Sequence, residues 1–142
     1  MSSQIDGNFR TFLVSSGYTG STVTIAPSGT TTANGIPAYL AVTVNSDGTI
    51  TPANTATSNG VGILQEDVQA GQYGKVKLWT GAGTFLAAVS GTAVTPGTGY
   101  AIITGGYIGT ASAAGGYTAG ALAIQSGVAS NGIVLEFVNQ GF

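Results

Sequence analysis

Gly60-Val-Gly-Ile-Leu-Gln-Glu-Asp-Val-Gln-Ala-Gly71, with Gly74-Lys-Val-Lys-Leu-Trp79 just after it, decides the fold class. In Lys75-Val76-Lys77-Leu78 polar and apolar residues alternate. A strand sets both lysines on one solvated face and Val76 and Leu78 on the other. Val61 to Leu64 is a second apolar run, and a polar connection holding Glu66 and Asp67 joins the two. Strand, turn, strand at this spacing points to a small all-β protein.

The pattern repeats outward in both directions. Thr22 to Ala26 alternates Val23 and Ile25 with threonine; Ala38 to Val44 puts Leu40, Val42 and Val44 on one face; Thr49 to Thr51 returns after Asp47-Gly48. Downstream, Tyr100 to Thr104 and Tyr107 to Thr110 flank Gly105-Gly106 as an expected hairpin, and Ala121 to Gln125 and Ile133 to Val138 finish the chain. Asp6-Gly7, Asn34-Gly35, Asp47-Gly48, Asn59-Gly60 and Asn131-Gly132 are turn signals, because these pairs tolerate positive φ. Thr84 to Val89 fits a short helix or a strand equally. Gly62, Leu64, Gly74, Val76 and Trp79 recur as Gly120, Leu122, Gly132, Val134 and Phe137, 58 positions later, as in a barrel with two similar hairpin-like halves. Residues 52–59 form a polar connection, and residues 111–120, rich in Ala and Gly, form a flexible loop. The expected fold is therefore all-β, a small antiparallel barrel or sandwich. Residues 1–20 are an extended N-terminal arm, and residues 21–142 a single β domain.

Composition narrows the function. Only 6% of the 142 residues are charged, against about 25% in ordinary soluble proteins. Histidine and cysteine are absent. Ser-His-Asp and Cys-His catalysis, disulfides and the usual zinc sites are thereby excluded. Three basic residues make no patch for a phosphate backbone, so nucleic acid is not an expected partner. No apolar run reaches the ~18 residues of a membrane helix, so no membrane partner is expected either. The start, Met-Ser-Ser-Gln-Ile-Asp-Gly, lacks the basic and apolar regions of a signal peptide, and the expectation is synthesis and use without Sec-type export.

The remaining chemistry has ordinary explanations. Glu66 and Asp67 are the one acidic pair, but adjacent residues rarely face a common cleft, and a turn or capping role is expected. Lys75 and Lys77 belong to a solvated strand face rather than to a Ser-Lys dyad. The glycine-rich pieces lack the spacing of nucleotide loops, and no Asp-x-Asp-x-Asp loop offers a calcium site. No cofactor, metal or catalytic residue is expected. Tyr100, Tyr107 and Tyr117 are the residues from which a glycan-binding platform would be built.

The stretch from Gly60 to Gly71, leading into Gly74 to Leu78, resembles the middle of the small phage capsid decoration, or cement, proteins. In that family a G-V-x-x-x-x-A-x-A-G segment leads into a V-x-V-x-L strand. Val94-Thr-Pro-Gly-Thr-Gly-Tyr-Ala101, the segment Ala119-Gly-Ala-Leu122, and the last strand follow in the family's order; Ile36-Pro-Ala-Tyr-Leu-Ala-Val42 fits its first core strand. Ala119 departs from the family's isoleucine, and residues 1–35 have no counterpart. The resemblance implies a non-enzymatic, β-barrel-like protein, usually a homotrimer. Its partner would be the major capsid protein, on the outer surface of an expanded phage head at capsomer junctions. An unpaired arm can add a strand to a capsid edge, which makes Ser2, Ser3, Gln4, Ile5, Asp6, Phe9, Arg10 and Phe12 the candidate capsid-binding residues. The competing readings are another virion β-module, such as a head fibre base or a tail component that binds host glycans, and a hydrolase using Glu66 and Asp67.

Overall fold

The computed structural model describes residues 8–25, 31–54, 60–79, 83–112, 116–130 and 132–142. Thirteen strands account for almost all of its regular structure: β1 (Phe9–Leu13), β2 (Thr22–Ile25), β3 (Thr31–Ile36), β4 (Ala41–Val44), β5 (Ile50–Pro52), β6 (Gly62–Leu64), β7 (Val68–Gln69), β8 (Tyr73–Leu78), β9 (Thr84–Val89), β10 (Gly99–Ile102), β11 (Ile108–Thr110), β12 (Ala119–Ala123) and β13 (Ile133–Asn139). A 3-10 turn, Thr104–Gly106, joins β10 to β11. The chain is all-β, as its alternation requires.

The strands form a five-stranded sheet in the order β1-β8-β6-β4-β5, a closed barrel β10-β11-β9-β13-β12, and a small sheet β2-β3-β7. Among the described residues the strand pairings are antiparallel except β11–β9, at Ile108 and Val89, and the isolated bridge from Val14 to Ile50 is parallel as well. Val14 bridges Ile50, so the end of β1 curls round to meet β5. The expected β6–β8 pair forms with Gly62 opposite Leu78.

Two apolar cores result. Val14, Ile36, Leu40, Val42, Ile50, Leu64 and Val76 fill the space under the sheet. Phe85, Val89, Ile102, Ile108, Leu135 and Phe137 fill the barrel. Each such side chain fully buried contributes about 1.5–3 kcal/mol. The cores are not separate. Ala41 and Ile63 stand on sheet strands yet pack into the barrel cluster, and Ala88 of β9 packs into the sheet cluster. Tyr39 touches both cores. Its N–H donates to the Leu64 carbonyl at 2.7 Å, and its own carbonyl accepts the Ala88 N–H at 2.9 Å. To serve both it adopts φ 67°, a left-handed backbone that a bulky residue takes only when its surroundings impose it.

Several expectations change. From Phe9 onward the expected arm is the edge strand β1, paired over five residues with β8, and Val14 is fully buried. Its apolar residues fall on both parities because one face meets the core and the other carries Phe9 and Leu13, which hid the strand from an alternation test. Asn34-Gly35 is no turn. It lies within β3, where Gly35 pairs with Gln69 and a Cβ would fall on the Val68 carbonyl oxygen. Thr84–Val89 is strand throughout, held by six pairs to β13. Ala38 and Tyr39 form a turn before β4, and Val44, at the far end of β4, is exposed. The loop expected over 111–120 contains a two-way bridge between Ser112 and Tyr117 and the start of β12. The two echoed segments both form antiparallel pairs, but one lies in the five-stranded sheet and the other in the barrel. Their registers differ too: Gly62 faces Leu78, whereas Ala121 faces Asn139. The turn at Asp47-Gly48 and the β10–β11 hairpin form as expected. Asp6-Gly7, Asn59 and Asn131 lie outside the described residues, as do residues 55–59 of the polar connection.

Candidate functional site

The two acidic neighbours hold turns. The Asp67 carboxylate accepts the Ala38 N–H at 2.7 Å, and Glu66 accepts the Lys75 N–H at 3.3 Å. Both side chains are exposed and engaged with backbone, so they do not converge on a cleft, and the capping role expected of them stands. Asp47 accepts both the hydroxyl and the N–H of Thr49, at 2.6 and 3.0 Å. The hydroxyl above all holds its carboxyl below the usual aspartate value. Among the described residues no group of three or more Asp, Glu, His or Cys could hold a metal ion, and no helix is long and apolar enough to cross a membrane.

The three tyrosines do not make a platform. Tyr100 is buried against Phe137, its hydroxyl accepting the Thr95 N–H at 2.9 Å and facing the Ala93 carbonyl. Tyr107 packs partly against the sheet core, and the Tyr117 hydroxyl lies 3.1 Å from that of Thr104.

The candidate capsid-binding residues divide. Ser2, Ser3, Gln4, Ile5 and Asp6 lie outside the described residues. Phe12 packs against the sheet core, and Arg10, opposite Val76, is exposed. Phe9 is on the opposite face, opposite Lys77, with the Lys75 ammonium 4.5 Å from its ring centre. The β1–β8 ladder also fixes which backbone groups are free. Leu78 N–H donates to the Asn8 carbonyl, and Val14 N–H to the Gln72 carbonyl. Antiparallel ladders alternate, so Arg10 and Phe12 direct their backbone polar groups toward β8, and Phe9 and Thr11 direct theirs out of the sheet edge, while from Leu13 on that edge is taken up by the Val14–Ile50 bridge to β5.

Two exposed faces combine apolar and charged groups. One is the outer face of β1 and β8, where Phe9, Lys75, Lys77 and Tyr73 stand together; Tyr73 is 67% exposed. The other is the outer face of β9, β13 and β12. There Glu136 lies opposite Leu86, its carbonyl accepting the Ile124 N–H, with Val134 and Val138 along the same strand. This second face did not emerge from the sequence as a site. Its signal was Ile133-Val-Leu-Glu-Phe-Val138, which is apolar on both parities although one side faces outward.

No known protein family matches the chain, and a search of curated proteins finds no match. Among solved structures, the fold is similar to the "N base" of head fibre gp8.5 of bacteriophage phi29. The likeness has a TM-score of 0.56 at 16% identity and covers 92% of this chain and 93% of that one.

Proposed function

We propose that the chain is a structural protein of a phage virion, carried on the outside of the head and bound to the major capsid protein, and that it is not an enzyme. The observation that carries this reading is the likeness of nearly the whole chain to the base of a phage head fibre, a fold shared from end to end rather than in one motif. Composition supports it independently. A surface with few charges loses little ion hydration when packed against another protein. The finer reading is a decoration protein that binds expanded heads as a homotrimer and stiffens them. In a trimer each contact after the first is effectively intramolecular, so modest contacts sum. The second reading, a head fibre base, is favoured by the neighbour's own role. In either case residues 2–6, which lead into the β1 edge, are the proposed capsid contact.

Purified protein mixed with decoration-free expanded heads and with unexpanded procapsids tests this. Saturable binding to expanded heads, with heads made more resistant to heat, is the result expected of a decoration protein. Binding without added resistance is expected of a fibre base. Binding to neither removes the proposal.

A further inference from the structure

We infer that the outer face of β9, β13 and β12 is a self-association surface, and that its occupant is the Lys75–Lys77 face of a second copy, joined head to tail. This deepens the trimer reading and rests on it.

Six large hydrophobics are exposed among the described residues, and four of them lie on these two faces. Leu86, Ile124 and Val134 are on the first and Tyr73 on the second. The strand register sets Leu86, Val134, Glu136 and Val138 on this face, and one end of it, at Ala88 opposite Val134, is covered by the sheet core. Glu136 and Leu86 form one row across β13 and β9, which Ile124, one residue past β12, extends by donating its N–H to the Glu136 carbonyl at 3.5 Å; Leu122 and Val138 form the next. Glu136 is the one ionisable group in these rows. The other face carries two of the chain's three basic residues, and Phe9 and Tyr73 supply its apolar surface. An apolar face with one negative charge thus has its complement, an apolar face with two positive charges, on the same chain.

Charge also selects the mode of joining. A two-fold contact of the first face with itself would bring Glu136 against Glu136, and the second face against itself would crowd four lysines; like charges oppose both. Head-to-tail contact pairs Glu136 with Lys75 and Lys77. Such heterologous contacts repeat until they close a ring or grow a filament. The two faces adjoin within one chain, where the Lys77 ammonium donates to the Thr84 carbonyl at the start of β9.

Sedimentation velocity on the full chain tests this, with circular dichroism and thermal melting to check the fold. The wild type is expected to run as a closed oligomer of a few copies. Glu136→Lys alone, or Lys75→Glu with Lys77→Glu, is expected to weaken association about 30-fold or more and give single chains. Combining all three changes restores opposite charges at each contact and is expected to restore the oligomer. Should a charge reversal fail to fold, Leu86→Thr, a strand-compatible change on the same face, is expected to loosen the oligomer in the same way. A monomeric wild type, an oligomer indifferent to Glu136→Lys and Leu86→Thr, or a combined variant that stays monomeric overturns the inference. Wild type from the same preparation is mixed with heads in parallel. An oligomer with this charge dependence that ignores heads removes the capsid reading and leaves the inference; head binding by a monomer does the reverse.

Discussion

Gly48 and Gly62 show how two identical residues are required for different reasons. Gly48 closes the turn between β4 and β5 with φ 83°, and a Cβ there would meet nothing within 4 Å. Gly48→Ala therefore adds only the left-handed backbone strain, about 1–2 kcal/mol. Gly62 has no such φ, but a Cβ would fall on the Lys77 carbonyl of the neighbouring strand. Backbone cannot yield without parting β6 from β8, so Gly62→Ala is expected to cost about 3 kcal/mol, at the upper end of overpacking. Urea denaturation of the two variants should rank them in that order. The same distinction explains what could be read in advance. Asp47-Gly48 was legible as a turn because everything that makes it one lies within five residues. Asn34-Gly35 has the same signature, but its glycine answers to the Val68 carbonyl on another strand, which no local pattern reveals. Asp47 gives a second prediction. The Thr49 hydroxyl and N–H stabilise the ionised carboxylate, so its folded pKa lies below its unfolded one. The stabilisation is complete above the ordinary aspartate range and is lost as pH falls through the folded value. Carboxyl-carbon NMR should find Asp47 titrating below an ordinary aspartate, and Thr49→Val should move it part of the way back, since the N–H bond remains.

At the scale of elements, most internal strands followed from alternation; β1, β3 and β7 did not, and β9 fitted a helix as well as a strand. β8 reads cleanly because Val76 faces the core while Lys75 and Lys77 face out. β1 presents Phe9 and Leu13 on one face and Phe12 on the other, a pattern that alternation alone assigns to nothing. The consequence is practical. Removing residues 2–20 as an arm would take away an entire strand together with Val14, whose N–H and carbonyl are bonded to Gln72 and Gly71 and whose side chain is fully buried beside Ile50. A deletion of residues 2–7 leaves all thirteen strands intact. It is expected to keep the far-UV circular dichroism and cooperative melting of the whole chain while abolishing binding to expanded heads. Deletion through Val14 is expected to lose the cooperative melt. Retained head binding by the shorter deletion would move the capsid contact off residues 2–6. The apolar outer face of β13 escaped the sequence for a related reason. A strand apolar on both sides looks like any buried strand until the register shows which side is covered.

Across the whole molecule the two cores interlock and are expected to unfold together. Ile63 leaves the sheet to fill the barrel, Ala88 leaves the barrel to meet the sheet, and Tyr39 is bonded between them. Ile63→Ala is expected to cost about 2–5 kcal/mol. Because the residue belongs to both layers, hydrogen-exchange protection at Val76 in the sheet and Phe137 in the barrel should fall together; loss confined to one would make the layers independent. The same scale bears on the proposed contact with the head. Seven of the eight charges are dispersed over the described residues: Asp47, Glu66 and Asp67 hold turns, Lys75 and Lys77 share one face, Glu136 sits on another, and Arg10 is exposed on β1. A contact formed mostly by neutral hydrogen-bonding and apolar groups is little screened by salt, whereas exposed ion pairs weaken beyond a Debye length of about 10 Å at 0.1 M and about 3 Å at 1 M. Binding of the wild type to expanded heads should therefore change less than about threefold from 0.1 M to 1 M salt. Sedimentation at the same salt separates the two contacts. If the oligomer persists and head binding still falls steeply, charged residues govern the capsid contact, and the neutral surface is not what the head recognises. If both fall together, head binding depends on the oligomer, and the expectation of salt-tolerant binding by the wild type fails with it.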